Sequence, residues 1–235
     1  MTRPPCCLVT GATGGLGRAV AEAFHAAGFH TIVTGRDQAA LEHLAERLGG
    51  RVTSIVADLR EPGDVRRLAA RLDRLDVVVA GAGRTVRGSF GLGDEPLENW
   101  RDAVLVNIFG TAAIARVTLP LVAAAHGTMV LIGSVSGRAV VPGDLYSVTK
   151  HGVSALAEAL RLEAEPAGVR VCVVQPGLID TPMVSPGRRS RPMMSPEAVA
   201  AEILRLATSD HPFQVNEIVL RPHPTRQDPV DDPTT

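Results

Sequence analysis

The chain has 235 residues, and its charge and composition exclude several classes of protein before any motif is considered. The formal net charge is −1 and the isoelectric point is about 6.7, so nothing in the charge favours nucleic acid or an anionic membrane as a partner. Apolar residues make up 45% of the sequence but aromatic residues only 3%, so alanine, valine and leucine must build the core, which suits helices packed closely on a parallel sheet.

Short apolar strands alternate with helical patterns along most of the sequence. Strands are predicted at 6–10, 30–34, 52–57, 76–80, 128–132, 169–174 and 217–220, and helices at 16–27, 38–48, 62–73, 96–125, 144–165 and 196–208. Strands separated by helices pair through right-handed crossovers, so this order predicts an α/β fold with a doubly wound, seven-stranded parallel sheet and helices on both faces. One domain is predicted over 1–235, with an irregular tail rich in proline and polar residues at 222–235.

The sequence also predicts a soluble, cytoplasmic protein without a metal site. Its three cysteines, Cys6, Cys7 and Cys172, have no metal-ligand spacing, and such a set favours a reducing compartment. The first residues are too poor in apolar side chains for a signal peptide, and no run is expected to reach membrane-spanning length.

A glycine-rich turn, Thr10-Gly-Ala-Thr-Gly-Gly-Leu-Gly17, joins the first strand to the first helix. There it offers backbone N–H groups and a helix N-terminus to a pyrophosphate. The turn lacks the GxGxxG spacing because Val20 replaces the last glycine, and it is not a P-loop because Arg18 stands in place of the Gly-Lys ending. A turn that only closes the helix onto the sheet is the alternative, but its place after the first strand favours dinucleotide binding.

Tyr146, the only tyrosine, lies four residues before Lys150 in a stretch whose pattern predicts a helix. The two side chains would therefore share one helix face. A phenol has a pKa of about 10, and a neighbouring cation lowers that pKa towards the range useful for proton transfer. The spacing alone is common and leaves two interpretations open, a catalytic pair or a packed tyrosine with a solvated lysine, and the other motifs of the chain favour the first.

Together these segments resemble the short-chain dehydrogenase/reductase family, whose Thr-Gly-x-x-x-Gly-x-Gly turn and Tyr-x-x-x-Lys pair stand here at 10–17 and 146–150. The likeness extends along nearly the whole chain, through 80–83, 132–137 and 176–181. At 80–83 the family carries Asn-Asn-Ala-Gly, and both asparagines are replaced here. The resemblance implies a Rossmann-type fold and hydride transfer between a nicotinamide cofactor and a carbonyl or secondary alcohol.

The resemblance also implies a role for each of four catalytic residues. Tyr146 would donate a proton to the developing alkoxide, or accept one in the reverse reaction, and Ser134 would hydrogen-bond the same oxygen. Lys150 would bind the nicotinamide ribose and lower the pKa of Tyr146. Asn107 would hold a water-linked proton path to Lys150. Without the resemblance, Ser136 would be a candidate equal to Ser134.

The resemblance assigns cofactor contacts to residues at or after the ends of six of the predicted strands. They are Thr10, Gly11, Thr13, Gly15, Leu16, Gly17, Arg36, Asp58, Leu59, Ala80, Gly81, Ala82, Gly83, Tyr146, Lys150, Pro176, Gly177, Ile179 and Thr181.

The preferred cofactor depends on the end of the second strand, which meets the adenosine ribose in such folds. Gly35 stands where NAD-preferring relatives carry an acidic residue, and Arg36 could bind a 2′-phosphate, so NADP(H) is favoured over NAD(H). Asp37 is interpreted as the N-cap of the second helix. Asp58 resembles the adenine contact of the family, but a loop cap is equally consistent with its position.

The resulting hypothesis is an NADP(H)-dependent oxidoreductase that acts on a small carbonyl or alcohol. The resemblance implies a homodimer or homotetramer built through the helices at 96–125 and 144–165. An NAD(H)-dependent alcohol dehydrogenase of the same family and a non-catalytic dinucleotide-binding regulator are the alternatives. The altered 80–83 segment slightly favours the regulator, whereas Ser134 and Tyr146 argue for an enzyme.

Overall fold

The computed structural model describes residues 3–86, 90–91, 95–140 and 142–223, and contains one parallel sheet. Its strands are β1 (Cys6–Thr10), β2 (His30–Gly35), β3 (Val52–Val56), β4 (Val77–Ala80), β5 (Thr128–Ile132), β6 (Arg170–Pro176) and β7 (Glu217–Leu220). The strand order is β3-β2-β1-β4-β5-β6-β7, which confirms the predicted doubly wound, seven-stranded sheet.

The helices that connect the strands lie close to their predicted positions. They are α1 (Gly15–Ala26), α2 (Gln38–Leu48), α3 (Pro62–Ala69), α4 (Leu97–Val104), α5 (Thr111–Ala124), α6 (Leu145–Ala164) and α7 (Pro196–Thr208). The predicted irregular tail, 222–235, falls almost entirely outside the described residues.

The sheet buries both of its faces, which explains why its strands are apolar runs without alternation. Neighbouring residues of a strand point to opposite faces. In β1, Leu8 packs into a core with α3, α5 and α6, whereas Val9 packs into a second core with α1, α2 and α7. Both side chains are completely buried. Helices therefore cover the sheet on both sides, as predicted.

The strand order places a crevice beside β1. The chain builds one half of the sheet from β1 to β3, then returns to place β4 on the other side of β1. In open α/β sheets, ligands bind at such a reversal, outside the carboxyl ends of the strands. The segments singled out in the sequence follow β1, β4, β5 and β6, and so converge on this edge of the sheet.

One helical run differs from the sequence-based expectation. The continuous helix Leu97–Ala124, comprising α4, the π-helical turns Leu105–Gly110 and α5, is long and apolar enough to cross a membrane by length and composition. The expectation that no run reaches such a length was therefore wrong. This helix packs against β4, β5, α3 and α6. A core helix of a globular domain can be equally long and apolar, because the face that it buries against the sheet consists of apolar residues.

Candidate active site

The glycine-rich turn between β1 and α1 forms a close-packed cradle at the start of the helix. Gly11 has a φ of +67°, and a Cβ at Gly17 would lie 2.2 Å from the Gly11 carbonyl oxygen. A Cβ at Gly15 would lie 2.6 Å from Cγ2 of Thr181, so the loop after β6 lies directly against this turn. Gly14 occupies the N-cap position of α1 and, having no side chain, makes no capping hydrogen bond to the first N–H groups of the helix. The first N–H groups of the helix therefore suit a pyrophosphate.

Thr10 holds the loop after β4 against the same turn. Its Oγ1 accepts hydrogen bonds from the N–H groups of Gly81 and Ala82, both at 3.1 Å. A Cβ at Gly11 would lie 2.8 Å from the Ala82 Cα. The Thr10 hydroxyl, predicted to contact cofactor, is thus used by the protein itself. These contacts hold the altered 80–83 segment in place without the asparagines that the family carries there.

The backbone of Gly83 packs closely against two of the predicted catalytic residues. A Cβ at this position would lie 3.3 Å from Asn107 Oδ1 and 3.6 Å from Lys150 Nζ. Lys150 is buried, and its Nζ donates to the Ile132 carbonyl oxygen at 2.8 Å. The ends of β4 and β5, the helix Leu97–Ala124 and α6 therefore meet at one point, as the resemblance implied.

Asn107 lies in the π-helical turns and fastens the loop after β4 to α6. Its Oδ1 accepts the Arg84 N–H at 2.9 Å, and its Nδ2 donates to the Arg84 carbonyl and to Thr149 Oγ1, both at 3.0 Å. Its main-chain carbonyl accepts the Thr111 hydroxyl at 2.8 Å. The amide thus fixes the neighbour of Lys150 and the backbone beside Gly83. A water-linked path from Asn107 to Lys150 stays a prediction.

Ser134, Tyr146 and Lys150, three of the predicted catalytic residues, lie together. Hydrogen bonding to Ser134 lowers the pKa of Tyr146, so the two side chains are neighbours, and Lys150 Nζ lies 5.6 Å from the centre of the tyrosine ring. Asp144 caps α6 by accepting the Tyr146 N–H at 2.9 Å, which fixes the start of the helix that carries both Tyr146 and Lys150. Ser136 donates its N–H to Ser134 Oγ at 3.1 Å and accepts the Ser147 hydroxyl at its carbonyl at 2.8 Å, whereas Ser134 affects the pKa of Tyr146, which favours Ser134 over Ser136.

The pKa values of the cluster correct one expectation. Burial raises the pKa of Tyr146 to about 12, the hydrogen bond with Ser134 lowers it in part, and the Asp144 carboxylate raises it. Burial lowers the pKa of Lys150 to about 8. The expectation that Lys150 brings the tyrosine pKa below its usual value is wrong for the protein alone, because desolvation of the phenolate is the largest effect on that pKa. Tyr146 is a fully protonated phenol at neutral pH.

Lys150→Met is expected to change the pH dependence of stability. The folded pKa of about 8 lies below the ordinary 10.5, so burial destabilises the charged lysine fully below pH 8 and progressively less up to pH 10.5. The variant lacks this term, so its free energy of unfolding relative to the parent should fall by about 2 kcal/mol between pH 7 and pH 10. Urea unfolding at the two pH values measures this difference; an equal difference at both would contradict it. Lys150 is the only lysine, so its titration can also be followed directly by NMR.

The residues predicted to meet adenosine lie together, with one unpredicted partner. Asp37 caps α2 by accepting the Ala40 N–H at 3.0 Å, which confirms its interpretation as an N-cap. Asp58 is bound by Arg60, whose Nη2 lies 2.6 Å from Oδ2. The hydrogen bond from Arg60 chiefly holds the pKa of Asp58 below its usual value, and the charge of exposed Arg36 contributes. Arg36 therefore lies within electrostatic reach of the adenosine end of the crevice.

Sequence reasoning missed the charged cluster around Asp102. Arg60 forms an ion pair with Asp102, and Arg84 reaches the same carboxylate at 3.3 Å. The cluster ties the loop after β3 to the helix Leu97–Ala124 and to the backbone that Asn107 holds. These partners are separated by up to 42 residues, so no local pattern could reveal them.

The remaining predicted cofactor residues differ in what they offer to a ligand. The Leu59 side chain is buried in the core beneath Gly110, so only its backbone can face the crevice. Thr13 is exposed and lies close to Gly35, where a Cβ would be 3.3 Å from the Thr13 Oγ1.

The loop after β6 is anchored by its backbone, since the Gly177 N–H donates to the Leu220 carbonyl at 2.8 Å. Pro176 is buried at the end of β6, while Leu16 and Ile179 are partly buried against the core that contains α1 and α7.

Comparison with known sequences places the chain among proteins of one family. A model described as short chain dehydrogenase matches residues 5–192. Dehydrogenase/reductase SDR family member 7B of Mus musculus is 35% identical in an alignment of 187 residues that covers 74% of this chain and 57% of the mouse protein, so the chain spans little more than half of that relative. An uncharacterized oxidoreductase of Staphylococcus epidermidis is 30% identical over 222 residues, which are 92% of this chain and 96% of that protein.

Solved structures have the same fold over nearly the whole chain. One described as a short chain dehydrogenase/reductase family protein has a TM-score of 0.85 at 27% identity and covers 92% of this chain and 95% of its own. The closed form of a serine dehydrogenase complexed with NADP+ has a TM-score of 0.83 at 26% identity, with 92% and 93% covered. With the family model matching most of its length, the chain belongs to the short-chain dehydrogenase family.

Proposed function

We propose that this protein is an NADP(H)-dependent oxidoreductase that interconverts a carbonyl compound and a secondary alcohol. The observation that carries the proposal is the placement of Ser134 and Tyr146 together, beside buried Lys150 and Gly83 at the carboxyl edge of the sheet. A regulator that only binds a dinucleotide has no need of a proton donor at that place.

The glycine turn and the N-terminus of α1 fit a dinucleotide, because the turn packs its backbone tightly at Gly17 and the first N–H groups of the helix have no side-chain cap. When bound, the nicotinamide supplies or accepts the hydride. Lys150, charged below pH 8, offers a cation and hydrogen-bond donors beside Gly83, where a ribose would be held.

Tyr146 supplies the proton in the reductive direction. A pKa of about 12 keeps its hydroxyl protonated, and the alkoxide formed from a carbonyl is a stronger base than the phenolate left behind. Ser134 donates a second hydrogen bond to the same oxygen and stabilises the charge that develops there. In the oxidative direction Tyr146 accepts the proton from the alcohol, and this step is favoured by high pH.

Cofactor titration followed by a substrate panel tests the proposal. We expect quenching of protein fluorescence by NADPH at lower concentrations than by NADH, then oxidation of NADPH by at least one ketone or aldehyde. Binding of a cofactor without turnover across a broad panel would favour the regulator. Failure to bind either dinucleotide would contradict both functions.

Arg36→Ala tests the preference for the phosphorylated cofactor. Arg36 is exposed at the adenosine end of the crevice, and hydrogen bonds between charged groups contribute about 1.5–3 kcal/mol. NADPH affinity should therefore fall about tenfold or more, whereas NADH affinity should change by less than about threefold. Arg66→Ala, an exposed arginine on α3, is the matched control and should change neither. Equal losses for the two cofactors in Arg36→Ala would remove Arg36 from the specificity argument.

A further inference from the structure

Gln175, near the end of β6, is completely buried and lies between the end of β5 and α6. Its Oε1 accepts the Ser134 N–H at 2.8 Å. Its Nε2 donates to Ser154 Oγ at 2.8 Å and to Glu217 Oε1 at 2.9 Å. A single amide thus joins the backbone of Ser134 to α6 and to the edge strand β7.

The segment 133–137 is shaped around this amide. A Cβ at Gly133 would lie 2.3 Å from Gln175 Oε1, and a Cβ at Gly137 would lie 3.2 Å from it. The two glycines that flank Ser134 therefore let the backbone approach the glutamine oxygen. Since rotation of a backbone moves its side chain, the position of the Ser134 hydroxyl depends on Gln175.

The partners of Gln175 fix the orientation of its amide. Burial raises the pKa of Glu217, but the hydrogen bonds from Arg138 and Gln175 together lower it by more, so the net pKa is below its usual value. Glu217 is therefore an ionised carboxylate, which can only accept hydrogen bonds. The amide nitrogen must face Glu217, and the oxygen must therefore face the Ser134 N–H. Arg138 forms an ion pair with Glu217 and follows directly after the segment 133–137, which closes a ring of contacts around Ser134.

We propose that Gln175, with Glu217 behind it, is a positioning residue that holds Ser134 in line with the Tyr146 hydroxyl. The role rests on the proposed oxidoreductase function, because Ser134 acts there on the substrate oxygen. Gln175 itself touches neither the reacting atoms nor the glycine turn. Its loss should therefore slow turnover and leave nucleotide binding intact.

Gln175→Leu is the direct test, with Gln214→Leu as the matched control. Gln214 makes its hydrogen bonds to Val171 and Asn216, away from Ser134. In Gln175→Leu we expect kcat to fall about tenfold or more, while the Kd for NADPH changes by less than about threefold. Gln214→Leu should retain the parental kcat. An unchanged kcat in Gln175→Leu, or equal losses of kcat and nucleotide affinity, would overturn the proposal.

Exchange of the two polar groups separates positioning from packing. Gln175→Glu sets a second carboxylate against Glu217 and should lower kcat, because the two charges repel. Adding Glu217→Gln supplies an amide N–H to the new carboxylate and should restore most of the lost kcat, while Ser134 keeps its acceptor. Absence of any recovery would contradict the assigned hydrogen bonds.

Amide hydrogen exchange at Ser134 distinguishes failure of this proposal from failure of the proposed function. If the parent turns over no carbonyl, the function fails. Faster exchange at Ser134 in Gln175→Leu than in Gln214→Leu would still support the positioning role. Equal exchange in the two variants would overturn it.

Discussion

Tyr146→Phe is expected to reduce turnover at least about a hundredfold and to change nucleotide affinity by less than about threefold. A positioned proton donor contributes about 10²–10⁴-fold to the rate of such a reaction, and phenylalanine lacks only the hydroxyl. Ser134 remains and can still stabilise charge on the substrate oxygen, so some turnover should persist. Single-turnover rates with a ketone and fluorescence titration with NADPH measure the two quantities.

Nucleotide affinity should survive because the tyrosine ring, not its hydroxyl, packs beside Lys150. The lysine keeps its hydrogen bond to the Ile132 carbonyl, and its Nζ lies 5.6 Å from the ring centre. Removal of the hydroxyl leaves both contacts in place. The phosphate cradle at Gly15 and Gly17 is built from backbone and does not involve Tyr146.

Ser136→Ala is the matched control for Tyr146→Phe, since it removes a neighbouring hydroxyl that is not bonded to Tyr146, and it should turn over like the parent. Turnover of Tyr146→Phe within a few-fold of the parent would assign proton donation to another group. Because Tyr146 is the only tyrosine, its absorbance titration also reports directly whether its pKa lies near 12.

The doubly wound parallel sheet and the glycine-rich turn could be predicted because their signals lie in short stretches of sequence. Apolar runs separated by helical patterns imply crossovers, and crossovers dictate parallel strands. The turn from Thr10 to Gly17 carries its glycines where the backbone packs against itself. Asp37 follows a strand and precedes a helix, which is sufficient to predict a cap. The turn and the cap each depend only on residues that are close together in the sequence.

The network behind Ser134 could not be predicted, because its partners are far apart in sequence. Gln175 meets Ser134 across 41 residues and Glu217 across 42, through pairing of β5, β6 and β7. No pattern around Gln175 distinguishes it from any other glutamine at a strand end.

The direction of the Tyr146 pKa shift was predicted wrongly for a different reason. Helical spacing reveals which charge is near a phenol, but it does not reveal how much water the fold removes. In the structure burial is the larger effect, so it raises the pKa of the tyrosine and lowers that of Lys150 together. Site geometry could be transferred from the resemblance, whereas the balance of solvation depends on the packing of the whole crevice.

Gly17→Ala is expected to weaken NADP(H) binding at least about tenfold and to lower the melting temperature by about 2–10 °C. In an exposed helix, alanine would stabilise relative to glycine by about 0.5–1 kcal/mol. Here its Cβ would lie 2.2 Å from the Gly11 carbonyl oxygen and 3.1 Å from the Ala12 Cα. Overpacking of this kind destabilises by about 1–3 kcal/mol, which corresponds to the stated shift for a chain of this size.

The clash in Gly17→Ala cannot be relieved by a flexible side chain, because both facing atoms belong to the backbone. Gly11 is itself confined, since it lies at a φ of +67° with the Ala82 Cα close to it. The turn must therefore move away from α1, and the N–H groups that face the phosphates move with it. Gly50→Ala is the control, because nothing lies within 4 Å of a Cβ there, and it should bind and melt like the parent. Parental affinity and melting temperature in Gly17→Ala would show that the turn has room for a side chain, and would remove the close backbone approach on which the dinucleotide site depends.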